Sequence, residues 1–238
     1  MPGGIYVALS GMRSRLDALD RVASDIANVN TAGYKSERAT TEQADRPSFG
    51  ETLQSAIDVA DGPKRLDTRT GSIASTGRDL DVAIEGSGYF VVDTANGPRY
   101  TRDGRFTRNA SGELASQDGD PIRGAKGPIK IGNGPIEIDA DGTVRSGGAI
   151  AGSLDVVDFQ STASLVKEGA SRFSSAETPT SVAGPSLKAG AIEQSNVSVV
   201  TSIAELSSIT RSFETLQRAI SVINNDIDGK AITELGRR

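Results

Sequence analysis

The sequence contains neither cysteine nor histidine. The absence of cysteine excludes disulfide bonds and thiolate metal sites, and the absence of histidine removes the commonest metal ligand and general base. Most hydrolase and metalloenzyme mechanisms therefore lack their usual residues. We expect no catalytic residue, no metal and no cofactor in this chain.

Aromatic and hydrophobic residues are also sparse, at 4% and 36% of 238 residues. Two modest folded units fit this composition better than one deep core. The formal net charge of −5, without a dense cluster of lysine and arginine, gives no electrostatic footprint for nucleic acid. No run approaches the roughly 20 apolar residues that cross a bilayer, and no cleavable leader is recognisable. We expect a protein that is not membrane-embedded and is either cytoplasmic or exported without losing a peptide.

Two narrow apolar stripes with helical spacing lie at the two ends of the chain. Steps of four and three residues are typical of coiled coils. They predict one helix from about Ile5 to Asn28 and another that begins near Val197, with Ser195 or Asn196 as its N-cap. The N-terminal seam comprises Ile5, Leu9, Met12, Leu16, Leu19, Ala23 and Ile26, and the C-terminal seam comprises Leu206, Ile209, Phe213, Leu216, Ile220, Ile223 and Ile227.

A single helix with one apolar face most often packs on its own domain. Here both stripes are narrow, both lie at chain ends, and the intervening segment has apolar residues for a face of its own. We therefore interpret the two seams as assembly surfaces that need partners to cover them.

The middle of the chain predicts β-structure. From residue 81 to 159, short apolar runs alternate with turn dipeptides at a spacing typical of an antiparallel meander or small barrel. The dipeptides are Asn96-Gly97, Asp103-Gly104, Ser111-Gly112, Asp118-Gly119, Asn133-Gly134, Asp141-Gly142 and Gly147-Gly148. Tyr89, Val91, Tyr100 and Phe106 are expected to face inward. Residues 161–194 are interpreted as a return connection with little regular structure. The predicted fold class is α+β, with paired coiled-coil-type helices flanking an inserted all-β domain. The boundaries are 1–35 and 193–238 for the helical assembly domain, 36–76 for an extended or irregular linker, and 77–192 for the β domain.

Two short motifs resemble ligand-binding loops, but a simpler structural interpretation fits each of them better. Asp139, Asp141 and Gly142 resemble the opening of a calcium loop, but Ile150 stands where the required glutamate would fall, so a hairpin turn is the better interpretation. The glycine-rich stretch 85–88 continues as strand, and a phosphate-binding loop requires a following helix.

An enzyme, for example one acting on the cell wall, would need paired acids in a pocket. Glu85 with Asp103, Asp79 with Asp81, and Asp118 with Asp120 are the candidate pairs. All of them flank turns, where carboxylates are usually solvated. The enzyme remains an alternative, as does a coiled-coil adaptor or surface fibre protein.

Four stretches resemble the bacterial flagellar rod and hook proteins: residues 27–35 (ANVNTAGYK), 80–92 (LDVAIEGSGYFVV), 100–109 (YTRDGRFTRN) and 190–197 (GAIEQSNV). The resemblance singles out Asn28, Asn30, Gly33, Tyr34, Ser195 and Asn196 as motif residues. Gly33 would turn the chain out of the first helix, while Asn28 and Asn30 would cap helix carbonyls, bridge a neighbour or only terminate the helix.

The resemblance implies a concrete function. Subunits of this family are exported unfolded through the flagellar type III export apparatus without a cleaved signal. They polymerise helically, with copies of themselves and with other rod proteins, into the basal-body rod that crosses the periplasm and drives motility. Chain length and the stretches 211–220 and 230–236 are more similar to the proximal rod subunits than to the distal ones, and the distal subunits remain the alternative.

Overall fold

The structure, a computed structural model, describes residues 2–39, 64–161 and 164–235. The described residues include two helices, α1 (Pro2–Ala27) and α2 (Val199–Leu235). The strands of the described residues are β1 (Glu37–Ala39), β2 (Lys64–Leu66), β3 (Ile73–Ser75), β4 (Val82–Ile84), β5 (Tyr89–Thr94), β6 (Gly97–Thr101), β7 (Thr107–Arg108), β8 (Leu114–Ala115), β9 (Arg123–Gly124), β10 (Gly127–Pro128), β11 (Ile136–Ile138), β12 (Thr143–Ser146), β13 (Ala149–Ser153), β14 (Val156–Asp158), β15 (Leu165–Glu168), β16 (Arg172–Ser175), β17 (Thr180–Ser181), β18 (Leu187–Ala189) and β19 (Ala191–Glu193).

Both predicted helices are present, and the α+β class is confirmed. Pro2 occupies the first turn of α1, where its missing N–H has no helical partner to lose. Beyond it, neither helix contains a proline. Among the described residues, no helix is long and apolar enough to cross a membrane.

The chain divides into two compact units. We call the first the helical unit (Met1–Ala27, Glu37–Lys64 and Ser198–Arg238) and the second the β unit (Asn28–Ser36 and Arg65–Val197). Within the helical unit, α1 and α2 pack on each other. The β unit therefore includes the segment that directly follows α1 as well as the segment that directly precedes α2.

The centre of the β unit is a six-stranded sheet in the order β15-β16-β6-β5-β14-β17. Its strand β5 is buried on both faces. Because successive side chains of a strand point to opposite sides, neighbouring residues of β5 enter different cores. Phe90 and Val92 belong to one core, and Tyr89 and Val91 belong to another. The continuous apolar run of β5 is the pattern expected for a strand that is covered on both sides.

The few aromatic residues are concentrated in these two cores. In the first, Phe90 and Phe106 meet edge to face with ring centroids 5.0 Å apart. In the second, the rings of Tyr89 and Tyr100 pack on Phe159 at 5.9 and 4.8 Å. Edge-to-face contacts of this kind add to the stabilisation from burial alone. All four predicted inward-facing residues are buried, although on opposite faces of the sheet.

Two predictions for the β region are wrong. The sheets do not form one meander, because β5 and β6 lie between strands from residues 156–175. Residues 161–194 are also not an irregular connection, since β15 to β19 lie there. β15 and β16 pair with each other, whereas β18 pairs with β4 and β19 with β3, so local patterning carries little signal for these last short strands.

The turn glycines largely follow the sequence prediction. Positive φ angles occur at the glycines of five of the predicted turn dipeptides, namely Gly97, Gly112, Gly119, Gly142 and the pair Gly147 and Gly148. Gly134 does not have a positive φ, and neither does Gly104. A Cβ at this position would lie 1.7 Å from the carbonyl oxygen of Val82, so Gly104 serves close backbone packing instead of a hairpin turn.

Candidate assembly site

The candidate acid pairs do not form a catalytic pocket. Glu85 is exposed and accepts a hydrogen bond from the Ser186 hydroxyl at 3.1 Å. The carboxylate of Asp103 is held by Arg105, with an Nη2 to Oδ2 distance of 2.6 Å. Each of these two carboxylates thus has a structural partner of its own.

Of the remaining acids, Asp81, Asp118 and Asp120 also have partners, and Asp79 is exposed. Asp118 and Asp120 both pair with Arg172 at 2.7 Å. Asp81 is buried and accepts a hydrogen bond from Thr76 at 2.7 Å. Within the part of the chain that the structure describes, no group of three acidic side chains is placed to hold a metal ion.

The N-terminal seam lies along α1, and its members differ from one another in solvent exposure. Leu16 is 48% exposed. Where the side chains of α1 are described, the buried ones are Val22 and Asp25. Ala23 is exposed, although it belongs to the predicted seam. Met12, Leu19 and Ile26 are half-buried, while the side chains of Ile5 and Leu9 lie outside the described residues.

The C-terminal seam lies along α2. Ile209 is buried, and an ion pair from Arg21 of α1 to Glu205 of α2 at 3.3 Å lies on the same pair of helices. Val200 and Ile203, which precede the seam, are 79% and 53% exposed. Leu206, Phe213, Leu216 and Ile220 are half-buried, while the side chains of Ile223 and Ile227 lie outside the described residues.

The motif residues after α1 enter the β unit through a glycine turn. Gly33 has a φ of +68°, the left-handed conformation predicted for it. A Cβ there would lie 2.3 Å from the backbone nitrogen of Asp103, so the position also requires glycine for close packing. Asn28 accepts a hydrogen bond from the Thr31 hydroxyl at 3.2 Å, which forms a local turn, and Asn30 is exposed.

Tyr34 follows the turn and is 1% exposed. The ammonium nitrogen of Lys167 lies 3.6 Å from the centroid of its ring and donates a hydrogen bond to the Lys35 carbonyl at 3.0 Å. A cation above a desolvated aromatic face is an attractive arrangement. The motif segment is therefore fixed to the six-stranded sheet through β15.

Lys35 carries the buried charge of this segment. Its side chain is fully buried, and its Nζ lies 2.5 Å from Oε1 of Glu193 and 2.8 Å from the Arg69 carbonyl. Burial lowers the pKa of Lys35 from its ordinary value, and the Glu193 carboxylate acts in the opposite direction. The ammonium group is thus held in the interior by a carboxylate from the other end of the chain.

Glu193 is the centre of this cluster. Its Oε1 also accepts a hydrogen bond from the Gly71 backbone, and its Oε2 accepts one from Arg102 at 3.1 Å. Arg102 in turn donates to the Gly86 carbonyl at 2.7 Å. Both Glu193 and Arg102 are almost completely buried. Lys35 and Glu193 were not predicted to form a buried ion pair. The signal available in the sequence was a lysine and a glutamate, each within an otherwise apolar and glycine-rich stretch.

Asn196 joins the same neighbourhood and does not cap α2. Its Oδ1 accepts a hydrogen bond from Ser36 N at 2.9 Å, and its Nδ2 donates to the Asp67 carbonyl at 2.8 Å. Ser195 accepts from Val197 N, before the helix begins. Ser198 is the residue at the helix start, where it accepts from Thr201 N at 3.4 Å. The predicted N-cap was wrong because Asn196 bonds to backbone that is distant in sequence.

The two long helices have partly exposed apolar side chains, and such surfaces are typical of subunits that assemble with partners. Comparison with known proteins agrees. Residues 5–35 match the family model "Flagella basal body rod protein". Residues 83–146 match "Flagellar hook protein FlgE/F/G D1 domain", and residues 188–231 match "Flagellar basal body rod FlgEFG protein C-terminal".

Full-length relatives carry the same description. The chain is 34% identical to the flagellar basal-body rod protein FlgF of Mesorhizobium japonicum over 100% of both chains, and 32% identical to FlgF of Caulobacter vibrioides over 100% of this chain and 99% of the relative. It is 31% identical to FlgG of Bacillus subtilis, over 91% and 93% respectively. The chain belongs to the flagellar basal-body rod protein family. It has a structural role in the rod and is not an enzyme.

Proposed function

We propose that this chain is a subunit of the proximal part of the flagellar rod and polymerises helically through its two seams. One observation supports the proposal most directly: the helices of this chain expose apolar side chains, and the chain belongs to a family of rod proteins. Leu16 is half-exposed, and Val200 and Ile203 are more so. Exposed apolar residues that continue a helical stripe mark surfaces that a partner covers.

The proposal includes the partners and the route. Copies of this chain and other rod proteins would cover the seams as a coiled-coil-type layer. A contact between different surfaces of successive copies grows into a helical filament and does not close. Export through the flagellar type III apparatus without a cleaved signal, to a periplasmic rod, is part of the same proposal. The similarity to proteins named FlgF supports the proximal position, and the similarity to FlgG keeps the distal position as the second candidate.

Electron microscopy of basal bodies from a strain that lacks this chain tests the proposal. We expect a truncated rod without a hook, restored by complementation, and the point of truncation distinguishes a proximal from a distal subunit. Intact rods and hooks in the deletion strain would contradict the proposal.

Substitutions in the seams test the surface itself. Leu16→Ala and Phe213→Ala should abolish rod assembly and leave the β unit folded, because each removes apolar contact area worth about 1.5–3 kcal/mol per interface. Ile150→Ala is the matched control, since Ile150 is 67% exposed but belongs to β13 of the β unit. Rods at normal yield with both seam variants would show that the seams are not the assembly surface.

A further inference from the structure

Three segments that are far apart in sequence share one buried ionic cluster in the β unit. Lys35 comes from the segment after α1, Arg102 from the loop after β6, and Glu193 from the last residue of β19. We call these residues, together with Asn196, the interlock. The backbone carries the same connection, because Gly33 N donates to the Glu193 carbonyl at 2.9 Å.

Each end segment supplies the polar partner that the other end buries. Without residues 190–197, the Lys35 ammonium would lose Glu193 and retain its bond to the Arg69 carbonyl, and the Ser36 amide would lose the Asn196 side chain. Without residues 28–36, Glu193 would lose its lysine. A buried charge that loses its partner is strongly unfavourable, more so than an exposed pair that is broken.

The three charged members of the interlock together carry a net positive charge. Glu193 holds one negative charge between the two positive charges of Lys35 and Arg102. Glu193 therefore stabilises both cations at once, and a missing carboxylate would leave two like charges together in the interior. The position of Glu193 in β19, which pairs with β3, extends this dependence to residues 73–75.

We propose that the interlock makes docking of the first and last segments of the β unit a single event, so that residues 28–36 and 190–197 are ordered together or not at all. These segments directly adjoin α1 and α2 in the chain. A subunit in which either end has not reached the β unit would then present neither end correctly. The interlock acts as a check that both ends of the β unit are in place, and this holds whether or not the chain occupies the proximal rod.

Hydrogen exchange of the full-length chain tests this dependence. In Lys35→Met, a substitution confined to the first segment, we expect exchange to rise roughly tenfold or more both in residues 28–36 and in residues 190–197, where Gln194 N is bonded to the Ser72 carbonyl. Glu193→Gln should produce the reciprocal effect on residues 28–36. Faster exchange confined to the substituted segment would overturn the proposal.

A matched control and a double variant sharpen the test. Glu168→Gln breaks an ion pair of the same 2.5 Å length with Arg99, but Glu168 is 44% exposed, so exchange in both end segments should stay unchanged. If docking is one event, Lys35→Met combined with Glu193→Gln should raise exchange less than the product of the two single effects. Effects that simply multiply would mean independent docking.

A milder variant covers the case in which Lys35→Met loosens the whole β unit, including β5 and β6. Asn196→Ala removes one bond to Ser36 N and one to the Asp67 carbonyl without uncovering a charge. Faster exchange in residues 28–36, with β5 and β6 still protected, supports the proposal. Unchanged exchange in residues 28–36 would overturn it.

Discussion

Replacing Gly104 by alanine should destabilise the β unit severely, although its φ angle is one that alanine can adopt. The methyl group would lie 1.7 Å from the Val82 carbonyl oxygen and 3.3 Å from Cε2 of Phe90. Neither neighbour can move freely, because Val82 and Phe90 are fully buried in the first core. Val82 N also donates to the Gly104 carbonyl at 3.0 Å.

The magnitude follows from two contributions. Moving the Val82 backbone out of contact strains a packed core, which costs about 1–3 kcal/mol. Breaking the hydrogen bond between Val82 and Gly104 leaves a buried N–H without an acceptor, which costs about 1–3 kcal/mol more. We therefore expect Gly104→Ala to lower the free energy of unfolding by about 2–6 kcal/mol.

Gly77→Ala is the control, because Gly77 has a φ of +71° and no atom within 4 Å of a Cβ at that position. It isolates the cost of a left-handed alanine, about 1–2 kcal/mol. Urea unfolding can be followed by near-ultraviolet circular dichroism of Tyr89 and Tyr100, which both lie in the β unit. The reasoning is refuted if Gly104→Ala is within about 1 kcal/mol of the parent chain, or no worse than Gly77→Ala.

Two further predictions concern titration and capping. Burial raises the pKa of Tyr89 to about 12, above its unfolded value near 10, so the folded chain binds the phenolic proton more tightly. This contribution is complete below about pH 10 and is lost as the pH rises toward 12, with a total of at most about 3 kcal/mol. Tyrosinate absorbance should show a late-titrating step whose amplitude falls in Tyr89→Phe, and an unchanged amplitude would argue against the assignment. Ser198→Ala should destabilise the start of α2 by about 1 kcal/mol in far-ultraviolet circular dichroism melts, whereas Ser195→Ala should have less effect because its bond to Val197 lies outside the helix; equal effects would contradict this assignment.

Local pattern was sufficient for the helices and for most of the turns. The existence of α1 and α2 follows from apolar spacing, and their observed limits differ from the predicted ones by a few residues. The positive φ angles at five of the predicted turn dipeptides follow from a local requirement, whereas Gly86, Gly88 and Gly190 also have positive φ and were not predicted as turns. Gly104 was misassigned because its requirement comes from Val82, which is distant in the sequence.

The strands β15 to β19 show the opposite limit. β15 and β16 are four residues each and pair with each other, whereas β17, β18 and β19 are two or three residues long, too short for a periodic pattern, and each pairs with a strand that is distant in the sequence. β19 forms because Ile73–Ser75 lies beside it. The same reason explains why Asn196 was assigned to the start of α2: its position before the helix suggested a cap, while its actual partners come from residues 36 and 67.

The sequence by itself determined the α+β class, the two end helices, the absence of cysteine and histidine chemistry, and the family. These properties depend on residue type and on short-range spacing, and both can be observed in the amino-acid sequence alone. Only the tertiary structure decided that Lys35, Arg102 and Glu193 form one buried cluster, and that the segments next to the two helices belong to the β unit. Those outcomes depend on which distant segments meet, because a buried charge is stable only where the fold brings it a partner.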